Sequence, residues 1–195
     1  MAKLFGKGTG GAGESEEDRA TRELMDLQHP RASISDGSGY MTIDPGQVLE
    51  NITAAMERID LDINVEISIE EDVATFDELS TLIQRLMLGP LLAVHVVNTA
   101  LAIMAARYPA ELVTKPLPPQ YDLRKMLPLD IPDRPHELAK VIFNRRTTSA
   151  ADLDPSDVTD ELDNLGVDDQ LRVFTALFYM YGTKLGVLKH TTGIA

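Results

Sequence analysis

The 195 residues are 44% hydrophobic, enough for one sizeable core, and 31 acidic against 18 basic residues give a net charge of -13. That negative field opposes nucleic-acid phosphates and anionic lipid as main partners, because basic groups gather only at Lys3 with Lys7, Arg145 with Arg146, and Lys184 with Lys189. The lack of cysteine excludes disulfides, thiolate metal sites and cysteine nucleophiles, and the apolar start over residues 1–5 is too short for a secretory signal. Cytoplasmic synthesis is the expectation.

Residues 1–17 are rich in glycine and polar groups and read as a mobile arm, with a high entropy cost on ordering. A helix is expected over 16–27, stopped at His29-Pro30. Asp44-Pro45 is an N-cap followed by proline at the first helical position, and Val48, Leu49, Ile52, Met56 and Ile59 share one face of the helix it opens. Next, Ile63, Val65, Ile67 and Ile69 alternate with acidic and polar residues, the period of a half-buried strand. Only Ala32 to Ile34 and Tyr40 to Ile43 offer weak partners within the chain, so strand addition between subunits is expected.

Thr75 and Glu78 have the spacing of a capping box. From Leu86 to Ala106 no residue carries a formal charge. Gly89-Pro90 divides this region into helices over about 76–88 and 90–107, since proline removes a backbone hydrogen bond and collides with the preceding turn. Seven of the eleven prolines then fall from Pro109 to Pro135, giving a strap whose apolar residues Leu117, Tyr121 and Leu123 suit packing against this domain or a neighbour's. Short helices follow from Pro135 and from Asp154-Pro155, the latter ending at Gly166. A strong final helix is expected over 168–182, with a polar, basic tail over 183–195.

Three patterns resemble chemical sites. Asp60, Asp62, Asn64, Glu66 and Glu71 occupy ligand positions of a twelve-residue calcium loop, but Val65 stands where the turn needs glycine, and the branched residues favour extension. They remain weak metal candidates, and no metal, cofactor or small-molecule substrate is indicated. His95 and Asn98 sit three apart on the apolar helix and read as buried polar groups with hydrogen-bond partners. Gly6 to Gly11 resembles a phosphate loop in composition alone, with the wrong spacing and no preceding strand.

The expected fold is mainly α, with about six helices around a long Gly-Pro-kinked apolar helix, one minor β-strand element and a Pro-rich strap. The domain runs over 18–182 with the strap (109–135) inside it, or divides there into two lobes. The functional expectation is a non-enzymatic structural or assembly subunit of a homo- or hetero-oligomer, of the kind a virion or phage particle contains. Its expected contacts are Lys3, Leu4, Phe5 and Lys7 in the arm, Ile63, Val65, Ile67 and Ile69 in the strand, and Leu117, Tyr121 and Leu123 in the strap. The alternative is a membrane-associated protein inserting residues 86–106, although His95, Asn98, Thr99 and Gly89-Pro90 interrupt that run. A calcium-dependent or acid/base enzyme is the third reading and rests on carboxylate abundance and the imperfect loop.

Overall fold

The computed structural model describes residues 32–35, 40–118, 131–148 and 153–194. The arm of residues 1–17, the helix expected over 16–27, and Tyr121 and Leu123 of the strap lie outside this set. The architecture is mainly α. The one sheet among the described residues is an antiparallel hairpin of β1 (Ala32–Ser35) and β2 (Tyr40–Ile43), in register Ala32 with Ile43 and Ser35 with Tyr40. The two weak strand candidates thus pair with each other.

Helix α1 (Pro45–Leu61) starts where Asp44 accepts from the Gly46 N–H at 2.9 Å, and it buries Val48, Ile52, Met56 and Ile59 as the periodicity predicts. After a π-helical turn at Ile69–Val73, α2 (Phe76–Gln84) opens on the expected capping box, in which Thr75 and Glu78 satisfy each other's backbone N–H groups. Helix α3 (Gly89–Ala105) follows a break of four residues and turns by 116° from α2. Gly89 and Pro90 therefore open α3, where the missing proline N–H leaves no helical partner unsatisfied. The corner holds Met87 at φ 52°, a left-handed conformation rare for a side chain of this size.

Ten of the 17 residues of α3 are buried, so the uncharged stretch leaves water by entering this fold's own core. Among the described residues no single helix is long and apolar enough to cross a membrane; α2 and α3 reach that composition only as the bent pair. Around α3 lie α1, α2, α4 (Ala110–Val113), α5 (Asp133–Thr148), α6 (Thr159–Asp163) and α7 (Val167–Thr192), and α3 packs against every one of them. Buried side chains form one continuous cluster from Ile43 to Leu188, which takes in Ile131 within the strap and Ile142 beyond it.

Two expectations are corrected. Residues 63–69 form no strand. Asp62 bends the chain by accepting from the Asn64 N–H, while Asp72 accepts from the Ser68 N–H and pairs with Arg58, so local turns hold the segment instead of a ladder. The region from Gly182 onward is not a tail, since α7 continues to Thr192 and stops at Gly193 in the left-handed conformation (φ 68°). Leu185 and Leu188 extend the buried stripe past Gly182, Tyr181 donates from its hydroxyl to the Met56 carbonyl at 3.0 Å, and Lys189 donates to the Asp60 carbonyl. This burial outweighs the roughly 1 kcal/mol that a mid-helix glycine costs.

Glycine 89 has a second role. A Cβ there would lie 2.0 Å from the Gln170 Oε1, so the glycine admits the Gln170 side chain. Gln170 in turn donates from Nε2 to the carbonyls of Leu162 and Leu165, closing the end of α6.

Candidate functional site

Between the 59–76 region and α7 runs an open groove of about 740 Å³. One wall is Ile59 on α1, the irregular segment carrying Ile63, Val65, Ile67 and Ile69, and Phe76 at the start of α2. The other is the stripe of α7 that carries Thr175, Tyr179, Gly182 and Gly186, positions three or four apart that share a helical face. Phe178 adds to that wall, and its ring packs edge-on against Phe174 with centroids 5.3 Å apart.

The two glycines set the groove's depth. Adding a Cβ to Gly186 would place it 2.8 Å from Ile63 Cδ1, so the missing side chain lets the 63–69 segment lie close to the helix. At Gly182 a Cβ would meet nothing within 4 Å, so that position leaves open floor. The mouth is apolar: Ile63 is 39% exposed and Phe76 is 43% exposed.

Charge in the groove has one sign. Among the described residues Glu66 and Glu70 line it and no lysine, arginine or histidine does. Burial pushes the Tyr179 hydroxyl above its ordinary pKa, and the Glu66 charge adds to the shift. The lining offers apolar area, hydroxyls at Ser68, Thr175 and Thr183, and two carboxylates. The arrangement suits contact with apolar side chains that carry or adjoin positive charge.

The expected contact residues Ile63, Val65, Ile67 and Ile69 are therefore brought together, though as a groove wall and not as a strand edge. Leu117 is half-buried against the core. Lys3, Leu4, Phe5 and Lys7 fall outside the described residues. Comparison with protein-family models, curated proteins and solved structures gave no match. Function must be read from the chain's own geometry.

The calcium-loop candidates do not converge. Asp60 turns inward to meet Arg107, with Oδ2 3.0 Å from the guanidinium, whereas Asp62 bonds to Asn64, Glu66 faces the groove and Glu71 is exposed. Among the described residues no three histidine, aspartate or glutamate side chains form a group able to hold a metal.

His95 and Asn98 are half-buried and partnered, as their positions predict. His95 Nε2 lies 3.0 Å from the Leu49 carbonyl oxygen and 3.1 Å from Thr53 Oγ1; a carbonyl only accepts, so this nitrogen carries the proton. Burial lowers the His95 pKa and the Leu49 hydrogen bond opposes that shift. Asn98 spans to the backbone of Leu153. His136 is more deeply buried, and its nearest partner is the Glu137 carboxylate at 3.5 Å.

The residues missed from sequence are those of α7. Tyr179, Gly182, Thr183, Gly186 and Val187 were assigned to a helix end and a tail. The signal available was the spacing of Gly182 and Gly186, four apart within a run whose apolar positions keep helical period. Two glycines on one face of a continuing helix mark close approach or an open floor.

Proposed function

We propose that this chain is a non-enzymatic assembly subunit of a larger protein complex built from copies of itself, and that the groove between residues 59–76 and α7 is the surface through which subunits dock. The observation that carries this reading is the apolar mouth, with Ile63 and Phe76 both well exposed above a groove of about 740 Å³. Leaving such area in water is unfavourable by about 25 cal/mol per Å², so a partner that covers it gains association energy. The acidic rim favours a basic partner segment and disfavours face-to-face stacking of two identical rims.

The experiment is light scattering coupled to size exclusion on the full chain and on Phe76→Glu. Phe76 is exposed and sits in the first turn of α2, where a carboxylate is favourable, so the variant should fold normally by circular dichroism. A defined multimer for the parent and a loss of mass for the variant are expected. A monomeric parent, or an unchanged mass for Phe76→Glu, would overturn the reading.

A further inference from the structure

We infer that the occupant of the groove is the segment over residues 3–7, Lys-Leu-Phe-Gly-Lys, supplied by a neighbouring copy of the chain. This deepens the assembly reading and rests on it. Residues 1–13 hold two lysines and no acid in a chain of net charge -13, so they are a local positive region that a negative groove can select.

Each side supplies a pair of charges, Lys3 with Lys7 and Glu66 with Glu70. In an extended strand Lys3, Phe5 and Lys7 share one face, so the Phe5 ring meets the apolar lining from the same side as the two cations. At about 740 Å³ the open groove has ample room for the Phe5 ring. The 24 residues between Lys7 and the hairpin can span up to about 80 Å at about 3.3 Å per residue.

Supply from a neighbour, and not from the same chain, is testable by complementation. Two full-length variants are made: Lys3→Glu/Lys7→Glu, whose arm and groove are both acidic, and Glu66→Lys/Glu70→Lys, whose arm and groove are both basic. Each alone should lose mass by light scattering, with self-association weakened about tenfold or more. An equimolar mixture should recover the parent mass, since each arm now finds an opposite charge on the other variant only. All four positions are solvent-facing or precede the described residues, and equal thermal melting of the variants and parent checks that folding is intact.

Loss in each variant and recovery in the mixture supports the inference. Loss without recovery overturns it by assigning the contact to the same chain. A parent multimer indifferent to both variants also overturns it, while the assembly reading, tested through Phe76, still stands. A monomeric parent removes both.

Discussion

Asn98 holds Leu153 by both backbone polar atoms: its Nδ2 donates to the Leu153 carbonyl at 2.8 Å, and its Oδ1 accepts from the Leu153 N–H at 3.1 Å. The pair ties the middle of α3 to the residue before the Asp154-Pro155 turn, 55 positions away in sequence. A side-chain amide alone can donate and accept in this way. Asn98→Ala should cost about 1–3 kcal/mol by leaving two backbone groups of a buried residue unpaired. Asn98→Asp should restore acceptance but not donation, and urea unfolding should rank it no better than midway between the two.

His95 gives a pH dependence with a definite sign. Burial depresses its folded pKa, so as pH falls the unfolded chain takes up the proton first. Its contribution to stability is fully present above the unfolded value of about 6.5 and declines as pH drops through that value to the folded one. Thermal melting from about pH 8 to about pH 5 should therefore fall more steeply for the parent than for His95→Gln, which keeps an N–H for the Leu49 carbonyl. Parallel slopes would refute the assignment.

The pairing of Asp60 with Arg107 is asymmetric, with side chains 7% and 38% exposed. Removing the exposed partner leaves a carboxylate inside the fold with its counter-charge gone. Arg107→Met should cost about 2 kcal/mol, less than the 3–5 of a fully buried pair. Adding Asp60→Asn should return part of that loss, and a double-mutant cycle by urea unfolding measures the coupling.

The two groove glycines should separate in a stability assay. Gly182→Ala meets open space and should stabilise α7 by about 0.5–1 kcal/mol through helix propensity. Gly186→Ala should gain less, because its Cβ displaces the Ile63 side chain. Melting temperatures that rise equally would mean the 63–69 segment does not rest on α7 as described.

Where one residue type admits one local solution, the sequence was legible. Asp44-Pro45, the Thr75 and Glu78 box, and the period of Val48, Ile52, Met56 and Ile59 each specify an element from within a few residues. The uncharged stretch was readable as a central helix because 21 residues without a formal charge, most of them apolar, have to leave water. The alternation at 63–69 misled in element type, since period two records which side is apolar and says nothing of whether a ladder partner exists. Residues of both parities, Glu66, Ser68 and Glu70 as well as the four branched ones, line the groove. The second wall was hidden because glycine within a helix is read as a stop unless the packing beyond it is known, and Leu185 and Leu188 find their partners in α1 and the core only after folding.

The groove's walls are far apart in the order of synthesis, with Thr175 following Phe76 by 99 positions. A chain that ends before α7 lacks one of the two walls, so the groove exists only once Thr175 to Val187 have folded onto the 59–76 region.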